Sequence, residues 1–217
     1  MAQDRRNRKT QSAIKDIFLK LLQKHSFYDI TVQQIADLAD INRGTFYFHY
    51  VDKYDLLEKM ENEKINDIQT FITEQNKNAV SDSPKDIVHN IMAYLIKHID
   101  HHLEFYKTMF NIGQVSMLQE KLYQLIFDHL SSYKNINNTI GDIPLLYFTS
   151  YVSGAGISFI KHWIQDENRI DKSHLIKHFT TIVNNGPVPL MEKNSSQNNF
   201  RNCSKFFIID LKTIDHL

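Results

Sequence analysis

Apolar residues recur at helical spacing along most of this chain, and the breaks between runs fall on capping and turn residues. Ile14, Ile17, Phe18, Leu21 and Leu22 make one stripe, and Val32, Ile35, Ala36 and Ala39 make a second, shorter one. The second run opens on a capping box. The Thr31 hydroxyl can accept from the amide three residues on, Gln34 can reach back, and Ile30 with Ile35 has the pattern of a hydrophobic staple. Asp40, Ile41 and Asn42 predict a tight connection, with Ile41 as its plug and Asn42 as the cap of a helix over residues 43–50. Asp52 caps the next helix, with Val51 and Leu56 as another staple pair. Further helices are predicted over residues 84–99, where Pro84 suits a first turn, and over 115–130. The charge-free run 143–160 predicts a helix buried on more than one face.

The helix over 43–50 divides its residues between two tasks. Phe46 and Tyr50, at i and i+4, can pack inward, which leaves Arg43, Gly44, Thr45, Tyr47 and His49 outside. An arginine near a helix N-terminus can offer a bidentate fork to a guanine edge, a threonine can bond a base or phosphate, and a glycine lets backbone approach closely. Arg43 and Thr45 are therefore assigned to base readout, and Thr31, Tyr47, His49 and Lys53 to phosphate anchoring. Gln33, Asn42, Gly44 and Tyr50 complete the candidate DNA-contact set.

The run TVQQIADLADINRGTFYFHYVDKYDLL resembles the DNA-binding domain of the TetR family of transcriptional regulators. The similarity covers residues 6–63, since the family pattern also has a preceding amphipathic helix and a following one. The chain departs from it at Asp40, where the family often has the glycine that takes a left-handed backbone at no steric cost; aspartate tolerates that conformation at a modest cost.

The resemblance implies an all-α protein with a three-helix helix-turn-helix domain over 6–66 and a helical regulatory and dimerisation bundle over 67–184. A tail over 185–217 has no assigned role. It further implies a homodimer in which the last two long helices, the second of them over 172–183, pair with their copies, with Leu145, Phe148, Val152, Gly156, Phe159 and Trp163 at the interface. The operator is then an inverted repeat with half-sites about one helical turn apart. The family also implies an effector pocket inside the bundle, for which Tyr106, Met109, Phe110, Tyr123, Phe127, Tyr147 and Tyr151 are candidates. GDIP at Gly141 and the phrase YVSGAGISFIKHWI are similar to a regulatory-domain subgroup of low-GC Gram-positive bacteria. Some of its members resemble co-activators that bind a protein, so a small-molecule or a protein effector stays open. The usual family outcome is repression; a co-activator of the same fold and a dimeric protein that binds no DNA are the alternatives.

The composition adds limits. The 217 residues are 42% hydrophobic, which allows a proper core. The formal charge is zero, yet the first 24 residues hold seven Lys and Arg against Asp4 and Asp16, a basic leading arm suited to a duplex backbone. The single cysteine, Cys203, offers neither a disulfide nor a CxxC zinc pair, and the first ten residues lack the apolar run of a secretion signal, so the cytoplasm is expected. The charge-free run carries Thr149, Ser150, Ser153 and Ser158 and is too short, with charges at both ends, to predict a membrane span. His98, His101 and His102, and His174 with His178, have ligand spacing, but no cysteine or tight carboxylate cluster adjoins them in sequence. They read as solvated polar faces, with no metal and no cofactor. No phosphate loop, GxSxG elbow or apolar-set carboxylate pair points to catalysis. After Val183 the chain turns polar and Asn-rich, and the closing KFFIIDLKTIDHL could dock as a strand or short helix.

Overall fold

The basic start of the chain is helical. In a computed structural model, which describes residues 2–78 and 83–190, Arg5, Arg6, Arg8 and Lys9 lie within helix α1 (Ala2–Leu22) and not in an extended arm. The reason is local: Gln, Arg and Lys are good helix formers, and the apolar stripe from Ile14 to Leu22 anchors the following turns. A 3₁₀ turn at Phe27–Asp29 leads to α2 (Val32–Leu38) and α3 (Arg43–His49). Ile14, Phe18, Ile35, Ala36 and Phe46 are fully buried where these helices meet, and Phe27 sits edge-on to Phe18 at 6.3 Å.

α4 (Lys53–Asn78) is the longest element. Its cap is Asp52, whose Oδ1 accepts from the amides of Tyr54 and Asp55 at 2.8 Å, while Asp55 reaches back to the Val51 amide at 2.9 Å. Val51 itself is exposed, so the expected staple with Leu56 does not form; the carboxylate pair holds the entry angle instead. Because α4 runs unbroken through residue 66, the expected domain boundary there falls inside a helix.

α5 (Pro84–His101) is capped by Ser83 and starts on its proline, and α6 (Leu103–Asn111) follows after one non-helical residue, His102. The hydrophobic pattern did not predict α6. α7 (Leu118–Ser131) begins three residues later than expected because Gly113, at φ 63°, starts a 3₁₀ turn. The stretch around GDIP forms a two-stranded antiparallel hairpin, β1 (Thr139–Ile140) and β2 (Ile143–Pro144). Its two central residues, Gly141 and Asp142, both have positive φ, as a tight two-residue hairpin turn needs. α8 (Leu145–Gln165) packs along α7 and α6, and α4 packs against α5 and α7. Their core is built from Met60, Ile68, Met92, Ile96, Tyr106, Met109, Leu118, Leu145 and Ile160.

The chain divides into two compact units, residues 1–172 and 173–217. Of the second, α9 (Lys172–Asn185) buries Leu175. The closing segment 205–217 lies outside the described residues. Among those described, no helix is long and apolar enough to cross a membrane.

Candidate nucleic-acid interface

Thr31 accepts from the Gln34 amide at 3.2 Å while Gln34 Oε1 accepts from the Thr31 amide at 2.8 Å, so α2 carries the full capping box. The chain then reverses at Asp40, whose φ of 54° is the left-handed backbone read from its position, and the Ile41 amide closes the turn on the Ala36 carbonyl at 3.0 Å. Asn42 caps α3 by accepting from the Thr45 amide at 2.7 Å. A Cβ on Gly44 would meet that Asn42 oxygen at 3.2 Å, so glycine leaves the cap undisturbed as well as opening the backbone.

On the outer side of α3, Arg43 donates to the Tyr47 hydroxyl at 3.2 Å and lies 5.7 Å from its ring, which extends both side chains together on the surface. Thr45 is half-buried and donates its hydroxyl to Asn42 at 3.0 Å. Gln33 is exposed on α2 and donates to Asp37. Phe48 is 75% exposed. A largely exposed phenylalanine on a short helix costs solvation unless something covers it, which makes it a contact candidate absent from the sequence-derived set. The signal was available: position 48 lies two residues, about 200°, from both inward positions 46 and 50.

An open cleft of about 780 Å³ runs between α1 and the α2–α3 turn, lined by Arg6, Asn7 and Thr10 and by Asn42, Gly44, Thr45, Phe48 and His49. The α1 residues came only as part of a basic region in sequence; the crossing of the helices brings them to the recognition face. His49 also meets Gln11 of α1, its Nδ1 3.3 Å from the Gln11 Nε2. Burial, and then the Lys59 charge, hold its proton affinity below the ordinary value, so at neutral pH it offers a neutral hydrogen-bonding ring.

Two candidates are placed differently from expectation. Tyr50 is buried against Phe46, with its hydroxyl pushed up to about 12 by burial and by Glu63 and Asp55; it is core and has no open face. The Lys53 ammonium donates to three carbonyls, Ile30 at 2.7 Å, Phe27 at 2.8 Å and Tyr28 at 3.0 Å, and lies 4.8 Å from the Phe27 ring. Its three protons close the end of the 3₁₀ turn against the start of α4, so Lys53 positions the helix pair and has no proton left for a phosphate in this arrangement.

Two family models match: residues 19–60 match the bacterial regulatory proteins of the tetR family, and residues 86–185 match a transcriptional regulator C-terminal region. The chain belongs to the TetR family of bacterial regulators. Members of that family are DNA-binding transcriptional regulators and not enzymes. An uncharacterized HTH-type transcriptional regulator of Bacillus subtilis, YxbF, is 31% identical over 121 residues, 52% of this chain. The chain spans about 30% of that relative's length. A TetR regulator of Streptococcus agalactiae superposes with a TM-score of 0.58 at 25% identity, covering 84% of this chain and 98% of that one. The Thermus thermophilus repressor FadR, solved with lauroyl-CoA, gives 0.56 at 16% identity over 81% and 94% of the two chains and shares the fold.

In this TetR-family protein the two faces of α8 differ in burial within the single chain. Leu145, Gly156 and Trp163 are buried within the chain, with Thr149 and Ser153 on the same stripe, and Phe148, Val152 and Phe159 are half-buried. The two hydroxyls are satisfied by their own helix, Thr149 on the Leu145 carbonyl at 2.8 Å and Ser153 on the Thr149 carbonyl at 2.6 Å. Tyr147 and Tyr151, expected in a pocket, stand outside at 75% and 67% exposure beside exposed Leu146 and Gly154. Periodicity showed two apolar faces, and it held no information on which one the chain itself would cover. Of the other pocket candidates Tyr106, Met109 and Phe110 are buried and Tyr123 and Phe127 half-buried, Tyr123 approaching Ser150 at 3.4 Å.

Proposed function

We propose that this TetR-family protein is a sequence-specific transcriptional repressor that binds an inverted-repeat operator as a homodimer and is released by an effector. The observation that carries the reading is the α2–α3 pair: both helices capped by their own side chains, the turn closed on Ala36, and Arg43, Tyr47 and Phe48 projecting outward beside the polar cleft that Arg6 borders.

The outer stripe of α8, with Leu146, Tyr147, Tyr151 and Gly154, supports pairing of two copies, since large aromatics around a small residue let two helix axes approach and bury area. A two-fold assembly would present two recognition helices to successive major grooves. Arg43 reads a base edge; Arg6, Tyr47 and His49 hold the backbone. α4 is the mechanical link, because only a short turn separates it from α3 and it bonds to distant elements along its length. Its Lys53 holds the turn before α2, its Glu63 pairs with Lys15 of α1, and its Glu61 meets the start of α7. An effector in the bundle shifts DNA affinity only by binding one placement of α4 better than the other.

The test is Arg43→Ala against an operator selected from sheared genomic DNA. Specific binding falls by about 1–3 kcal/mol, while affinity for a random duplex at the same salt stays within a factor of about two. Equal losses on both duplexes would remove the readout role.

A further inference from the structure

Where α4 passes α5, the Asp67 carboxylate and one ring nitrogen from each of His98 and His102 lie within 4.8 Å of one another. The two histidines are one turn apart at the end of α5, and the aspartate arrives from another helix, which is why the sequence showed only half of the cluster. His101, the third histidine of the run, is not part of it.

The geometry points to a binding site for a divalent transition-metal ion of the zinc class, held by Asp67, His98 and His102 and joining α4 to α5. Two imidazoles with one carboxylate are a donor set for Zn²⁺, Co²⁺ or Ni²⁺ and not for Mg²⁺ or Ca²⁺, which take oxygen. Three protein ligands leave a coordination position for water. Ligand atoms around a tetrahedral zinc with bonds of ~2.0–2.2 Å stand roughly 3.3–3.6 Å apart, so closing the cluster needs only small side-chain rotations, which the exposed Asp67 can make.

Independent features prepare the site. The His98 ring is held by stacking on Tyr94 and by the edge of Tyr106, each 5.9 Å away, and Tyr94 is itself stacked on Phe71 of α4 at 3.7 Å. His98 Nε2 is buried and finds no hydrogen-bond partner among the described residues, an unusual state for an interior polar atom. The end of α5 falls at His101, where helix carbonyls favour a cation. One group opposes the ion: the Lys64 ammonium lies 3.4 Å from His102 Nε2 and must swing aside.

The experiment uses the full chain stripped with a chelator and titrated with Co²⁺, read by its visible absorption, then with Zn²⁺ in competition. One ion binds per chain, at micromolar concentration or below, and Zn²⁺ displaces Co²⁺. Asp67→Asn and His98→Gln each weaken binding by about tenfold or more, Lys64→Met strengthens it, and the double change His174→Gln, His178→Gln leaves it unaltered. Circular dichroism reports whether His98→Gln still folds; if it does not, Asp67→Asn, which alters an exposed side chain, decides between the outcomes. No visible band at near-millimolar Co²⁺, unchanged affinity in Asp67→Asn, or a loss that follows His174 and His178 would each overturn the site. None of these readouts involves DNA, so failure of the DNA-binding reading leaves the metal site standing, and the reverse holds too.

Discussion

Glu61→Ala should be the most damaging single change between α4 and α7. The Glu61 side chain is 2% exposed. Its Oε1 accepts from the Ser116 hydroxyl at 2.6 Å and the Met117 amide at 3.1 Å, and its Oε2 lies 3.0 Å from the Lys121 ammonium. The carboxylate therefore fastens the first turn of α7 and neutralises a cation whose side chain is 21% exposed. Removing one partner of a buried pair costs about 3–5 kcal/mol because the other charge is left uncompensated. The Lys121 ammonium nitrogen is itself buried, so the stranded charge regains no hydration and the expected loss is at least about 3 kcal/mol. A second route agrees, since two hydrogen bonds to a charged acceptor are worth about 1.5–3 kcal/mol each. For a chain of this length that loss lowers the melting temperature by roughly 6–12 °C. Thermal unfolding followed by circular dichroism measures it, and adding Lys121→Met to Glu61→Ala should restore part of the loss by removing the stranded charge. A melting temperature within about 2 °C of the parent for Glu61→Ala, with no relief from Lys121→Met, would refute the reasoning.

Lys53→Met should lower stability by about 1–3 kcal/mol, as three carbonyls lose a shared charged donor, and urea unfolding at fixed salt reads this directly; unchanged stability with a flatter salt slope of DNA binding would return the residue to phosphate contact. For the proposed dimer, Tyr147→Asp with Tyr151→Asp should shift sedimentation to monomer without loss of helix signal, because both side chains are exposed in the single chain. His129 is held below its ordinary value of 6.5 by burial, so the folded state favours the neutral ring. That stability is present above pH 6.5 and is lost as the pH falls through the lower folded value, since the unfolded chain takes up the proton first; His129→Leu should flatten the stability profile in that window.

The DNA-binding helices were legible because their information is local. Thr31, Gln34 and Asn42 satisfy amides three residues away, and Asp40 accepts a left-handed backbone within a single residue. The hairpin was not predicted, since GDIP was read only as a family-like phrase, although its turn rests on the local backbone of Gly141 and Asp142. α6 was missed since His102 breaks the α5 pattern without glycine or proline to announce it.

By itself the amino-acid order determined the helix pair, its caps, the outward place of Arg43 and Tyr47, and membership of an all-α regulator family. Tertiary structure alone decided which face of α8 the chain covers, that Lys53 serves backbone carbonyls, that Arg6, Asn7 and Thr10 border the recognition helix, and that Asp67 meets His98 of α5 and His102 just past its end. The physical reason is range. Caps and turns are settled by hydrogen bonds over three or four residues, whereas burial of one face, and the meeting of charges from separate helices, depend on where whole helices cross.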